Sequence, residues 1–568
     1  MGRLRTKPSQ GKLKSVERNV DYSRRDFIKQ AALVAGLSAV PFSFWTFGDR
    51  ARAQTTSVQY NQNVIGQLPD FYISPSVAIG AGSGTQADPW GIDALGYNDS
   101  SGNYHPGKRS LYTGKVVGLM DGTYSLHTLL GTPCPGDFSG GNWIGVAPNT
   151  AATPTIVVSQ TPQGAIIDGQ RDAIYAADPT LDWGCGLLGP QTFGYGQYGI
   201  GLIIDGLKFQ GANYRCITNY GGAYPSGRGG NGNNGCDNLT VRNCWFADQS
   251  YITCQMPGKN AAMFYSEGSY QIYVQNCRFD QGSAPSDTNR EALLQFYSPT
   301  IDTIVEYSTF TAPPASSNGI YWKCGPSPGH QQAVARYNYV DMSLTTTTNS
   351  VGAIMFDGTT VTTDTWQVYN NIIIATIGNP AIWFDTSGGP GGDSGIWDIH
   401  DNTIVGNWSS KGMIYSTNNW GIKPTAVNFY NNIVAPSLGG GQTGDFQVPA
   451  ISEISEVNYN LYPTVVHFGV GNSSAFASLA SWQSATSTAG HAADMNSAQG
   501  NPLFVATGTE ADYYRLASGS PALTLSSGGK EIGAWGNGAT QIGNNFSSSG
   551  VSGGTTKTPM APTLLKVV

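Results

Sequence analysis

A hydrophobic residue returns about every thirty positions in this chain, and this inner column constrains the fold more than any other feature. Several members close similar short phrases, such as VRNCWF at 241–246, VQNCRF at 274–279 and FYNNIV at 429–434. Repeats of this kind, with β-rich runs between Gly, Ser and Asn clusters, cannot bury their apolar faces alone, so they must stack. The inner column consists of Phe209, Phe246, Phe279, Phe310, Val340, Ile373, Ile404 and Val434.

A second column of small polar residues lies two positions before most of these residues. Such side chains, in register on neighbouring coils, can hydrogen-bond along the stack and satisfy backbone groups at a buried bend. Asn also marks isolated turns, but several in succession favour a ladder inside the stack. The expected ladder contains Cys244, Cys277, Ser308, Asn338, Asn371, Asn402 and Asn432.

Each repeat contains a second strand in which apolar and polar residues alternate, which places one set inward and the other outward. The chain is therefore predicted to be an all-β protein, a single-stranded right-handed parallel β-helix (solenoid) with coils ~4.8 Å apart. The inward residues of this strand are predicted to be Phe264, Leu294, Ile320, Ile354, Ile382 and Ile414.

The outward residues of the same strand form two columns, here named the aromatic row and the ionisable row. An exposed aromatic row suits a groove for sugar chains, because aromatic faces stack on pyranose rings and polar neighbours bind hydroxyl groups. The alternative is that these aromatic residues bind nothing. The aromatic row contains Tyr265, Gln295, Tyr321, Met355, Trp383 and Tyr415, and the ionisable row contains Glu267, Tyr297, Lys323, Asp357 and Asp385. Substrate binding is expected from Tyr321, Trp383, Tyr415, Tyr297, Glu267 and Arg290.

Asp357 and Asp385 are neighbours in the ionisable row, so the coil spacing alone would place their carboxyl groups ~5 Å apart. Such a pair can supply the acid and the base or nucleophile for glycosidic hydrolysis, which requires no cofactor. About 5–5.5 Å between them would predict retention of configuration, and about 6.5–9.5 Å would predict inversion. The alternative is structural, because Asp at a strand end also caps turns.

Lys323 lies one coil before Asp357 and is the nearest basic residue. A lyase uses such a base to remove the proton α to a uronate carboxyl group, while a cation or Arg neutralises that carboxylate. Ca²⁺ would then be expected. The competing structural interpretation of Lys323 is a salt bridge with Asp357. Other members of the lyase site would come from Arg290 and from Glu267, Asp287 or Glu291.

Residues 1–53 resemble a twin-arginine signal peptide. The segment SRRDFIK (23–29) precedes an apolar run, and small residues around Ala53 offer a cleavage site. The run is short and is interrupted by Gly36 and Pro41, which disfavours a membrane anchor. The resemblance implies export by the twin-arginine machinery to the periplasm or the exterior. No later segment is apolar enough to span a membrane.

Charge and cysteine content exclude further classes of partner. The first 53 residues hold 11 Lys and Arg and 4 Asp and Glu, so the rest hold 19 and 33, a net charge of −14. Such a chain repels nucleic acid and weighs against a polyanionic substrate. The eight Cys lack tight metal spacing, so no metal site is predicted. Cys244 and Cys277 are expected to be stacked core thiols. Cys216, Cys236 and Cys254 are candidate disulfide partners, with the connectivity left open.

The pattern also divides the chain into segments. Insertions at 221–235 and 280–291 are expected to wall a groove, and one short helix is expected around Phe476–Gln483. The predicted order is a signal peptide at 1–53, an N-terminal cap with the first irregular coils at 54–200, regular coils at 201–440, an irregular excursion at 441–500, closing coils at 501–536 and a flexible tail at 537–568.

Several stretches resemble the pectate-lyase-like right-handed parallel β-helix proteins secreted by bacteria. FYISPS (71–76) and VVGLMDGTY (116–124) resemble the opening segment of that superfamily, AIIDGQ (165–170) resembles its coils, and DYYRLASGSPAL (512–523) resembles its closing segment. The superfamily contains lyases, hydrolases, epimerases and non-enzymatic binders, so the resemblance implies a fold more than a reaction. The motifs of polygalacturonases and alginate epimerases are not recognisable.

These observations favour an exported carbohydrate-active enzyme that cleaves a polysaccharide bound along one face of the β-helix. Hydrolysis by Asp357 and Asp385 is placed slightly ahead of β-elimination, because the chain after residue 53 is acidic and poor in Lys and Arg. A non-catalytic glycan-binding or surface protein is the alternative of a different class.

Overall fold

The structure is a computed structural model, and its described residues all belong to the compact unit Ala53–Val568. The segments predicted as a signal peptide (1–53) and as the end of the tail (547–568) lie outside the described residues. The structure describes residues 68–546 except 132–141, 179–185, 192–198, 214, 221–234, 249–260, 282–289, 298–300, 312–317, 324–331, 344–351, 358–363, 376–378, 386–394, 407–413, 417–423, 436–445, 472–473 and 509.

The chain folds into a right-handed parallel β-helix with three long sheets, as predicted. The first sheet contains β1 (Phe71–Ile73), β4 (Val116–Leu119), β7 (Thr155–Ser159), β10 (Gly199–Asp205), β13 (Cys236–Arg242), β16 (Tyr270–Gln275), β19 (Ile301–Glu306), β22 (Gln332–Arg336), β25 (Thr365–Tyr369), β28 (Ile396–His400), β31 (Ala426–Tyr430) and β34 (Ile454–Asn458). The second contains β5 (Gly122–Ser125), β8 (Ala165–Asp168), β11 (Lys208–Gln210), β14 (Trp245–Asp248), β17 (Arg278–Gln281), β20 (Thr309–Thr311), β23 (Tyr339–Asp341), β26 (Ile372–Ala375), β29 (Thr403–Gly406), β32 (Ile433–Ala435), β35 (Leu461–Tyr462) and β38 (Ala498–Gln499).

The third sheet contains β12 (Ile217–Tyr220), β15 (Ala261–Glu267), β18 (Arg290–Tyr297), β21 (Asn318–Lys323), β24 (Ile354–Asp357), β27 (Ile382–Asp385), β30 (Ile414–Ser416), β33 (Phe446–Val448), β36 (Phe468–Val470) and β37 (Ser474–Phe476). A small sheet near the N-terminal end contains β2 (Tyr97–Asn98), β3 (Tyr104–His105), β6 (Asn142–Val146) and β9 (Gly186–Pro190). The α-helices of the described residues are α1 (Arg109–Tyr112), α2 (Leu126–Leu130), α3 (Arg171–Ala177) and α4 (Leu479–Thr488), and short 3-10 helices lie at Ile92–Leu95, Ile451–Glu453, Glu510–Tyr514, Pro521–Thr524 and Gly536–Gly538.

The inner column forms the core, and its predicted register is confirmed strand by strand from Phe209 to Val434. Phe279 stacks between Phe246 and Phe310, with ring centroids 4.4 and 4.7 Å apart. All three rings are fully buried. Because parallel strands repeat at nearly the same spacing, identical rings on successive coils meet face to face.

The polar ladder is also confirmed, and it stabilises the bend between the first and second sheets. Asn338, Asn371 and Asn402 each donate from Nδ2 to the Oδ1 of the next Asn, at 3.0 to 3.1 Å. The ladder continues beyond the predicted residues to Asn460, which donates to Oδ1 of Asp494 at 3.1 Å. A buried bend repeated in every coil thereby keeps its polar groups paired.

This bend is only two residues long in each regular coil, and its first residue has a positive φ, as at Asn243 (54°) and Asn370 (52°). The bend therefore has no room for insertions. In the regular coils the long connections all enter or leave the third sheet, for example 249–260 before β15 and 324–331 after β21. The long connections of the regular coils therefore begin or end at strands of the third sheet, which also carries the two outward rows.

The C-terminal part departs from the sequence-based division. Residues 446–470, assigned to the excursion, supply strands to all three long sheets, and α4 covers part of the helix predicted around Phe476–Gln483. The segment predicted as closing coils packs on the outer face of the second sheet, where Ile532 and Trp535 join a separate apolar cluster, and Ile542 of the predicted tail joins the same cluster. Asn545 of the predicted tail bonds Asn276, 269 residues earlier.

Of the predicted disulfide partners, Cys236 is a free, buried thiol, as are Cys244 and Cys277 of the ladder column, and Cys216 is buried. The prediction of a disulfide at Cys236 is therefore wrong. Cys254 lies outside the described residues. Within the described part of the chain, no helix has both the length and the apolar character needed to cross a membrane.

Candidate functional site

The two outward rows of the third sheet are in the predicted register. In the ionisable row, Glu267 pairs with Tyr297, Tyr297 with Lys323, Lys323 with Asp357, and Asp357 with Asp385. These strands are directly hydrogen-bonded neighbours, so each step along the row is one strand spacing, ~4.8 Å. Five ionisable residues, from Glu267 to Asp385, are therefore in register on five successive coils.

The aromatic row is in register as well, but the prediction that it is exposed is wrong. The described members are buried, and Tyr321, Met355 and Trp383 form an apolar cluster separate from the main core. Trp383 is only 3% exposed, so its face is not an open platform for a sugar ring. The other buried members of this row are Tyr265, Gln295, Tyr321 and Met355.

The ionisable row is the more accessible of the two. Glu267, Tyr297 and Lys323 are partly exposed, and Asp357 is 6% exposed. The aromatic row therefore supports the groups of the ionisable row from the side.

Asp357 and Lys323 are each fixed by Tyr321. The Tyr321 hydroxyl donates to Oδ2 of Asp357 at 3.2 Å, and Lys323 Nζ lies 5.7 Å from the Tyr321 ring centroid and 5.8 Å from that of Tyr297. A lysine between two phenol rings gains cation–π attraction, and a buried carboxylate needs such a donor. An acidic residue, a basic residue and a tyrosine therefore lie close together on two adjacent coils.

A second unit lies at the start of the row. The Tyr265 hydroxyl donates to Oε2 of Glu267 at 2.5 Å, and the Arg215 guanidinium carbon lies 3.6 Å from the Tyr265 ring centroid. The repeat pattern does not indicate a role for Arg215, because Arg215 precedes β12 and has no equivalent in the other coils. The stacking of an aromatic residue and an arginine across two coils is visible only in three dimensions.

Three predicted site residues have side chains outside the described part of the structure: Asp385, Tyr415 and Arg290. Their backbones are placed, since Asp385 and Tyr415 continue the two rows and Arg290 begins β18. Their catalytic and binding roles remain predictions. The described residues contain no group of three or more His, Cys, Asp or Glu side chains that could hold a metal ion.

No protein family matches the sequence, and no curated protein matches it. Two solved structures are similar in part. One is the pectate lyase Pel9A, with 14% identity and a TM-score of 0.33, covering 82% of this chain and 95% of that protein. The other is PfbA, a surface adhesin of Streptococcus pneumoniae, with 9% identity and a TM-score of 0.28, covering 64% and 82% respectively. At these TM-scores the likeness carries no argument about function.

Proposed function

We propose that this chain is an exported carbohydrate-active enzyme that cleaves a glycosidic bond of a polysaccharide bound against the third sheet. The observation that carries the proposal is the register of the ionisable row from Glu267 to Asp385 on five successive coils. Polar and ionisable groups that recur at each coil suit a polymer whose units also recur. Export rests on the twin-arginine pattern of residues 1–53.

Hydrolysis by Asp357 and Asp385 is the reaction we favour. Adjacent register supports a close pair of carboxyl groups, and Asp357, which the Tyr321 hydroxyl orients, would act as the general acid. Asp385 would then act as base or nucleophile. Hydrolysis of this kind needs no cofactor.

β-Elimination on a uronate polymer is the second candidate, and Lys323 favours it. Lys323 lies next to Asp357 in the row and near the phenol rings of Tyr297 and Tyr321, which gives a base and proton donors in one place. Arg290 would neutralise the uronate, with Ca²⁺ expected as a bridging cation. A glycan-binding protein without turnover would use the same surface.

The test is product analysis of residues 54–568 on neutral and uronate polysaccharides. New reducing ends without ultraviolet absorbance would support hydrolysis by the Asp pair. Absorbance from an unsaturated sugar, lost on chelation, would favour elimination and move the catalytic role to Lys323. Binding without products on every polymer would contradict the enzymatic proposal and leave the binding protein.

A further inference from the structure

The unit formed by Arg215, Tyr265 and Glu267 differs from the rest of the row in how its charges are arranged. Tyr265 is 1% exposed and Arg215 is 2% exposed, whereas Glu267 is partly exposed. A ligand on this surface therefore meets the carboxylate, while the guanidinium stays behind the phenol ring. The cation supports the site without being available to an anionic ligand.

The same contacts fix the position of Glu267. The Tyr265 hydroxyl donates to its Oε2 atom at 2.5 Å. The Arg215 guanidinium carbon lies 3.6 Å from the Tyr265 ring centroid and holds that ring in place. The Glu267 carboxyl group is therefore held in one orientation.

Glu267 lies at a distance along the sheet from Asp357, the proposed point of cleavage. It lies three strand spacings from Asp357, roughly 14 Å. Carboxyl groups that act on one glycosidic bond lie within about 10 Å of each other. Glu267 therefore contacts a different sugar unit from the one that is cleaved.

We propose that Glu267, held by Tyr265 and Arg215, forms a subsite for a sugar that is neutral or carries an amino group, and that it excludes a uronate. The proposal rests on the proposed function only in placing the substrate along the third sheet. An oriented carboxylate accepts hydrogen bonds from hydroxyl or ammonium groups. A uronate carboxylate at the same place would meet a like charge in a partly desolvated site.

The experiment measures binding, so its result does not depend on turnover. Residues 54–568 are titrated calorimetrically with neutral gluco-, manno- and galacto-oligosaccharides, with chitosan oligosaccharides, and with oligogalacturonates and oligomannuronates. We expect a neutral or amino oligosaccharide to bind at least about tenfold more tightly than any uronate in low-salt buffer. The difference should shrink in ~0.5 M NaCl, because salt screens charge repulsion.

Glu267→Gln should reduce this discrimination about tenfold, by weakening the neutral or amino ligand and admitting the uronate. Glu456→Gln is the matched control, since Glu456 is an exposed glutamate on the first sheet, and it should leave the ratio unchanged. Tyr265→Phe keeps the ring but removes the donor. It should reduce the preference for a neutral or amino ligand over a uronate in the same direction as Glu267→Gln, a change that a purely structural role would not produce.

Three results would overturn the subsite proposal. The wild-type protein could bind a uronate most tightly, or it could bind no oligosaccharide at all. A folded Glu267→Gln variant could also show the same ratio of neutral to uronate affinity as the wild type. The two proposals fail separately. If the protein cleaves a polymer and Glu267→Gln does not change its preference for neutral over uronate substrates, the subsite proposal is wrong and the enzymatic proposal stands. If the protein discriminates between neutral and uronate oligosaccharides but cleaves no polymer, the subsite proposal stands and the enzymatic proposal is wrong.

Discussion

Removal of the Asn371 side chain tests what holds successive coils together. Its Oδ1 accepts from the backbone N–H and Nδ2 of Asn338 at 2.9 and 3.0 Å, and its Nδ2 donates to the backbone oxygens of Ala335 and Tyr369 at 2.8 and 3.0 Å. Asn371 is fully buried. Asn371→Ala would leave two or more buried groups short of a partner. At about 1–3 kcal/mol for each, we expect the free energy of unfolding to fall by about 3–5 kcal/mol.

The assay is urea denaturation of residues 54–568, followed by tryptophan fluorescence and far-ultraviolet circular dichroism. Asn428→Ala is the matched control, because Asn428 points outward and is half-buried on β31. Its unfolding free energy should change by no more than about 0.5 kcal/mol. If both variants lose the same amount within that error, the ladder does not stabilise the stack and the argument fails.

Three further changes test other parts of the structure. Phe279→Ala removes a fully buried ring that stacks at 4.4 and 4.7 Å on its two neighbours. It should cost about 3–5 kcal/mol in urea titration, and a loss below about 1 kcal/mol would contradict the stacked core. Burial raises the pKa of Asp494, so the folded state favours its protonated form. This contribution to stability is present below the unfolded pKa and is lost as pH rises through the folded pKa. Unfolding titrations between about pH 3 and 7 should therefore show Asp494→Asn gaining stability relative to wild type as pH rises, and a constant difference would refute this. Glu510 binds Arg278 Nη1 at 2.7 Å and fixes the C-terminal segment to the second sheet. Glu510→Gln should accelerate proteolytic cleavage within residues 501–546 about two- to fivefold without changing the global urea midpoint, whereas an unchanged cleavage rate would show that this ion pair does not hold the segment.

The sequence was informative wherever one residue type recurs at one place in every coil. The spacing of Phe246, Phe279 and Phe310 is enough to set the register of the second sheet, because each member must face the same core. The same logic predicts the Asn ladder. The sequence does not predict that Asp494 continues the ladder, because Asp494 has a carboxylate where the other members have an amide and its neighbours do not match the repeat phrase.

The candidate site was less predictable. Alternation separates the two faces of a strand, but it does not show what covers the outer face, so Tyr321 and Trp383 were expected to be exposed and are buried. Arg215 could not be recognised, since its contact with Tyr265 joins coils 50 residues apart in sequence. The segment from 501 to 546 shows the same limit. Its apolar residues indicate burial, but nothing in their order distinguishes a further coil from a strand-free segment on the outside of a sheet.

The most direct test of the account is the turnover of Asp357→Asn compared with that of Asp398→Asn on the polysaccharide that residues 54–568 cleave. Asp398 is a partly exposed aspartate on β28, on the first sheet. We expect Asp357→Asn to lower kcat at least about a hundredfold, with Asp398→Asn within about twofold of wild type and both variants folded. Wild-type kcat in a folded Asp357→Asn variant would contradict hydrolysis by the pair Asp357 and Asp385.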